Sequence, residues 1–145
     1  MKNLLALCIS GLLLTGCFLV AEPDYNWKPP ALVGNVDCCI TDVQVHGAIY
    51  SALLKLKWPV KEKTENGFVA EMPCEINDRP IMVFFENTDK DYVIAPEQEI
   101  SNIYEARYCI EKNLEKMDRY TGKYLTKAMK ISAKMAAKNE LKGIK

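Results

Sequence analysis

Six cysteines and a single histidine, His46, are the residues in this 145-residue chain best suited to chemistry. Cys8 and Cys17 stand near the start, and Cys38, Cys39, Cys74 and Cys109 are spread through the rest. Zinc sites and thiol–disulfide exchange both favour paired cysteines at C-x-x-C spacing. No such pair occurs and His46 is not spaced with the cysteines, so neither a metal nor a cofactor is expected. In an oxidising compartment an even set of four reads instead as two structural disulfides. Of the three possible pairings, the one joining the neighbours Cys38 and Cys39 closes a strained ring. The favoured expectation gives each neighbour its own partner, Cys74 or Cys109. Such bridges would tie the start of a first helix to a sheet and to a second helix.

The remaining chemistry is thin. His46 has no triad around it and reads as a satisfied or solvated imidazole. Asn87-Thr88-Asp89-Lys90-Asp91 begins like a calcium loop, with oxygens at positions 1, 3 and 5. Tyr92 then stands where that loop needs glycine and Gln98 where it needs glutamate, so a polar hairpin loop is the better reading. Glu97 and Glu99 could pair as acid and base but sit in a loop with no visible pocket. A Gly-rich phosphate loop, an HExxH helix and a nucleophile elbow are all missing from the sequence. No catalytic residue is assigned, and a non-enzymatic protein is expected.

The start of the chain carries an address. Met1-Lys2-Asn3 is followed by an apolar run from Leu4 to Leu14 and then Thr15-Gly16-Cys17, the parts of a secretory signal. Leu14-Thr15-Gly16-Cys17 resembles the lipobox of bacterial lipoproteins. That resemblance implies cleavage of residues 1–16 and a lipidated Cys17 carrying diacylglycerol and acyl chains of the palmitate class. Several chains make a firm anchor, because each buried methylene contributes about 0.8 kcal/mol. The alternative is an uncleaved membrane helix over Leu4 to Ala21, 18 residues without a charge. Phe18 rather than an aspartate after the cysteine leans, by the same resemblance, towards the outer membrane. The expected location is therefore the periplasm-facing cell envelope. Residues 17–37, proline-rich and aperiodic, read as a tether, in which Trp27 either meets the headgroups or docks on the domain.

Charge is balanced overall, 19 basic against 19 acidic side chains, which argues against a nucleic-acid partner. It is not balanced along the chain. Residues 17–100 hold 7 basic and 14 acidic side chains, whereas residues 101–145 hold 11 and 5. Lys123, Lys127, Lys130, Lys134, Lys138, Lys142 and Lys145 recur at helical steps. At about 100° per residue they share an arc of roughly 120°. Leu125, Ala128, Met129, Met135 and Ala136 take the other side, making a basic amphipathic helix. One reading is a solvated lysine face; the other is a stripe that binds phospholipid headgroups, lipopolysaccharide phosphates or an acidic protein.

The elements that must position these residues are legible in outline. Thr41-Asp42-Val43-Gln44 has the form of a capping box, and the stripe Val45, Ile49, Ala52, Leu53, Leu56 predicts a helix ending before Trp58-Pro59. Asn66-Gly67 predicts a type I′ hairpin turn. Beyond it Phe68, Ala70, Met72, Cys74 and Ile76 alternate with polar residues as one face of a strand. Asn77-Asp78 turns the chain into Ile81–Phe85, an apolar run fitting a central strand, and Tyr92–Ala95 makes a last short one. Asn102 with Glu105 predicts the cap of a long helix with the stripe Ile103, Ala106, Ile110, Leu114, Met117, Thr121, Tyr124, Ala128 and a weak point at Gly122. The expected fold is α+β in two layers, an antiparallel sheet of three to four strands against an N-terminal helix and a long C-terminal helix. Residues 38–131 would form the domain and 132–145 a basic helical tail.

Ala48-Ile49, Ala52-Leu53 and Trp58-Pro59-Val60, with Ala70, Val83, Tyr92, Ile94 and Tyr120, resemble a family of small proteobacterial lipoproteins over roughly residues 46–131. The resemblance implies a helix, a tryptophan-bearing turn, three or four strands and a tyrosine-containing helix, but no activity. Lys57 departs from the glycine usual after the first helix, and Tyr124 is out of register with the usual tryptophan. The expectation is an envelope lipoprotein acting as a disulfide-braced binding or scaffolding module. The alternative is an accessory subunit, pilot-like or assembly-related, that recognises one protein partner through a groove or a sheet edge. Its partners would be the membrane through the anchor and, beyond it, an envelope protein or an anionic lipid surface.

Overall fold

Thr41 and Gln44 cap one another: the Thr41 hydroxyl accepts from the Gln44 amide at 3.4 Å, and the Gln44 side chain accepts from the Thr41 amide at 3.0 Å. With its first donors satisfied, helix α1 runs Asp42–Leu56 and buries Val45, Ala48, Ile49, Ala52 and Leu53. It ends in a Schellman motif, the Trp58 amide donating to the Leu53 carbonyl at 3.0 Å and the Lys57 amide to the Leu54 carbonyl at 3.2 Å. The motif requires a left-handed residue, and Lys57 occupies it at φ 59° and ψ 36°. This gives a physical reason for a glycine at that place. Trp58, the residue after it, is buried near Phe85.

The computed structural model describes residues 24–36, 40–88 and 91–143. The signal segment with Cys8, the lipidation candidate Cys17, and Cys38 and Cys39 lie outside the described residues. Five strands form one antiparallel sheet: β1 Leu32–Asn35, β2 Val60–Thr64, β3 Gly67–Ile76, β4 Arg79–Asn87 and β5 Asp91–Pro96, in the order β1-β5-β4-β3-β2. A 3₁₀ turn, Ile103–Ala106, leads into helix α2, Arg107–Gly143. The fold is α+β with two helices on one face of the sheet. The sheet has five strands rather than three to four, because Leu32–Asn35, expected to be tether, pairs along β5 with Gly34 opposite Tyr92. A Cβ on Gly34 would strike the Tyr92 ring, so only glycine lets that ring lie across the edge strand.

The turns exchange roles relative to the sequence expectation. Neither Asn66 nor Gly67 has positive φ, so their turn is not type I′; Glu65-Asn66 makes the bend and Gly67 is already in β3. Gly67 is needed for space, since a Cβ there would lie 1.6 Å from the Phe85 carbonyl oxygen. The left-handed pair is Asn77-Asp78, at φ 53° and 59°, between the paired residues Ile76 and Arg79. Asn and Asp tolerate that region better than other side chains, which supports a two-residue I′-like turn. Asn102 is also left-handed, at φ 62°, and makes no side-chain cap, so the 3₁₀ turn rather than a capping box introduces α2. Gly122 does not break the helix.

The core lies between the helices and the inner sheet face. Met72, Ile81, Val83, Phe85 and Ile94 meet Ile49 and Leu53 of α1 and Ile110, Leu114 and Met117 of α2 within one buried cluster. Cys74 and Cys109 are bonded to each other, with Cα atoms 5.9 Å apart, joining β3 to the first turn of α2. This corrects the expected pairing: the inner face of β3 is covered by α2 itself, so Cys74 meets Cys109 and neither is left for Cys38 or Cys39.

Two outcomes follow from this architecture. Lys57→Gly, relieving a left-handed side chain at the end of α1, is expected to stabilise the protein by about 1 kcal/mol in urea unfolding. Replacing Cys74 and Cys109 together by serine opens a loop with a sequence separation of 35. That change is expected to lower stability by roughly 3–4 kcal/mol and the melting temperature by on the order of 10–15 °C in calorimetry.

Candidate binding surfaces

Because α1 and α2 share one face of the sheet, no helix among the described residues lies over the opposite face. Strand alternation puts Val69, Phe84 and Ala95 side by side there, in register across β3, β4 and β5. Val33, Val93 and Glu86 form the adjoining row. Phe84 is 42% exposed and Val33 66%, whereas Phe85, one residue on, is 1% exposed. The chain leaving β5 then runs beside this face, held by the Glu97 amide donating to the Met82 carbonyl at 2.8 Å and by the Gln98 side chain donating to the Pro29 carbonyl at 2.8 Å. The result is a groove of about 440 Å³ with Phe84, Val93 and Ala95 as its floor and Glu86, Glu97 and Glu99 among its lining residues. Glu97 is tied to Arg79 by an ion pair. Glu97 and Glu99, expected to stand in a loop without a pocket, thus line one.

The sheet edges are poor docking places. β1 has four residues, and β2 is a charged strand, Lys61-Glu62-Lys63, with a bulge between Val60 and Glu62. Short, charged and bulged edges resist strand addition.

A second uncovered surface is the far part of α2. The helix is continuous through Gly122, and its 37 residues span about 55 Å. Its last described side-chain hydrogen bond to α1 is the one from Gln44 to the Ser132 hydroxyl, at 2.7 Å. Residues 133–139 are exposed on every side of the helix. Lys123, Lys127, Lys130, Lys134 and Lys138 are all exposed, and none of the described ion pairs uses them. Ile131 and Met135, one turn apart, are 53% and 55% exposed. At about 100° per residue Ile131 lies roughly 20° from the edge of the Lys123–Lys138 row and Met135, expected on its other side, roughly 60°, so the arm presents an apolar pair edged by positive charge.

The opposite end of α2 receives the N-terminal segment. Tyr25 meets Tyr104 edge-on at 4.7 Å between ring centroids, and the Arg107 guanidinium lies 5.5 Å from the Trp27 ring. Of the two places open to Trp27, the structure gives docking on the domain.

His46 packs its ring against Phe68 at 5.4 Å, and its Nε2 is buried without a hydrogen-bond partner. Burial and then the Asp118 carboxylate push the Tyr92 phenol above its ordinary range. Among the described residues no three His, Cys, Asp or Glu side chains gather where they could hold a metal ion. No helix among the described residues is long and apolar enough to cross a membrane. Protein-family models, curated proteins and solved structures give no match to the chain.

The neighbouring phenylalanines test the open face directly. Phe85→Ala is expected to cost about 3–5 kcal/mol, as a large core deletion does, and Phe84→Ser less than about 1 kcal/mol. Chemical denaturation of the two variants measures the contrast.

Proposed function

We propose that this chain is a lipid-anchored protein of the bacterial envelope, attached through Cys17, whose disulfide-braced domain is a non-enzymatic binding module. Its binding element is the lysine-edged arm of α2, and its ligand is an acidic surface on a protein partner. The observation that carries this reading is that the arm keeps both its lysines and its apolar pair uncovered on either side of the last tie to α1 at Ser132. Exposed charge alone fits a solvated face, but Ile131 and Met135 beside it make a surface that gains by being covered. A protein partner is favoured over a bilayer because residues 17–100, at 7 basic and 14 acidic side chains, would be repelled by anionic lipid. The Cys74–Cys109 bridge supports an oxidising compartment, where such bonds persist. The accessory-subunit reading is the same proposal with the partner belonging to an envelope complex.

Amine-directed crosslinking in intact cells, with mass identification of what Lys127, Lys130 and Lys134 capture, tests the arm. One dominant protein adduct is expected, and changing these three lysines to glutamate should reduce it at least tenfold. Failure to find a protein adduct, together with lysine-dependent binding of the purified protein to anionic vesicles, would overturn the protein reading in favour of lipid. Labelled palmitate entering the wild-type chain but not Cys17→Ser tests the anchor.

A further inference from the structure

The two uncovered surfaces of this one chain are complementary in both chemistry and shape class. The groove on the open sheet face has an apolar floor of Phe84, Val93 and Ala95 beside Glu86, Glu97 and Glu99. The arm carries an apolar pair, Ile131 and Met135, beside Lys127, Lys130, Lys134 and Lys138. We propose that the groove is the seat for the arm of a second copy of this chain, so that the protein self-associates. This rests on the reading of α2 as a binding arm and names its partner.

The contact has to be intermolecular. Helix α2 lies on the inner side of the sheet, where Cys109 is bonded to Cys74 and Ile110, Leu114 and Met117 fill the core. The groove is on the outer side, and the unbroken helix gives the arm no bend by which to return to it. The charges are opposite in sign. Two glutamates of the groove, Glu86 and Glu99, stand in none of the described ion pairs, while Glu97 holds Arg79. Covering Phe84 on one side and Ile131 and Met135 on the other removes three of the large exposed apolar side chains in one contact. Opposed charge fixes the register and makes the contact sensitive to salt.

Two tagged forms of the full-length chain, coexpressed, allow the copies to be told apart. Isolated membranes are treated with a carbodiimide, which joins a lysine directly to a carboxylate in contact with it. Wild type with wild type is expected to give copy-to-copy adducts joining Lys130 or Lys134 to Glu86 or Glu99, fading at high salt. An arm-reversed chain, Lys130→Glu with Lys134→Glu and Lys138→Glu, should lose the adduct at least tenfold when paired with itself. A groove-reversed chain, Glu86→Lys with Glu99→Lys, should do the same. Mixing the two should restore it, because glutamate arms then meet lysine grooves and lysine arms meet glutamate grooves. All five positions are exposed or on the sheet surface, and Glu97 is spared to keep Arg79 paired, so the variants should fold. The mixed pair shows directly that they do. Absence of the wild-type adduct, persistence in either self-paired variant, or no restoration on mixing overturns the proposal. If the adduct is absent while arm reversal still removes the partner captured in cells, self-association fails and the reading of the arm stands.

Discussion

A five-stranded sheet has two faces to cover, and the described residues supply two helices that both lie on the same one. Most of what is distinctive about the molecule descends from that constraint. On the covered face, strand residues at every second position meet α1 and α2 in a core with Val45, Ala52, Leu53, Ile81, Val83 and Ile110 fully out of water. On the other face, the same alternation sets Val33, Phe84, Val93 and Ala95 beside one another and near the rim carboxylates, with no described helix over them. The period of two that builds the core therefore builds the groove as well. Covering the second face would take another layer, and the described chain has no element left to provide it except the end of α2, which points away.

The bridge between Cys74 and Cys109 decides where that end can go. It fixes the first turn of α2 to the last residues of β3, and the packing of Ile110, Leu114, Met117, Thr121 and Leu125 sets the helix direction from there. By Ser132 the helix has passed the first turn of α1. Extending a helix that is already nucleated gains one hydrogen bond for each residue fixed, which carries α2 past its last contact with α1. Placing Ile131 just before that tie and Met135 just after it, instead of more lysine or alanine, is unfavourable for a solvated end and sensible for a surface that is covered in use.

The parts of the fold visible in the sequence were those governed by local rules. The Thr41–Gln44 box, the alternation from Phe68 to Ile76 and the stripe from Ile103 to Thr121 each depend on spacing within one element. What sequence reasoning missed depends on neighbours far along the chain. Leu32–Asn35 is too short to declare itself, and becomes a strand only because β5 offers it an edge and Gly34 leaves space for Tyr92. Gly67 invited a turn assignment through its residue type, yet its role is close approach to the Phe85 backbone. The cysteine pairing could not follow from counting, because it depends on which helix covers β3. The groove was hidden for a similar reason. Ile81–Phe85 reads as a run buried on both sides, and only the placement of both helices on one side turns Phe84 into surface. The lysine row from Lys123 to Lys138, by contrast, was legible, since helical spacing is its whole content; Lys145 lies outside the described residues.

The uneven distribution of charge then has a structural meaning that its overall balance conceals. A chain with 19 basic and 19 acidic side chains gains little from long-range steering by its net charge. Segregating the two signs, with the excess of acid before residue 101 and of base after it, gives it a dipole whose poles are both near exposed apolar groups. The positive pole is a rigid helix, which surrenders little conformational freedom when it docks. The negative pole is a sheet face whose backbone is already hydrogen-bonded and equally rigid. Two preorganised surfaces of opposite sign favour fast association and a defined register, and the modest apolar area of each keeps the contact reversible. An anchor shared with a membrane would supply the remaining affinity, because copies confined to one leaflet meet at a far higher effective concentration than copies free in solution.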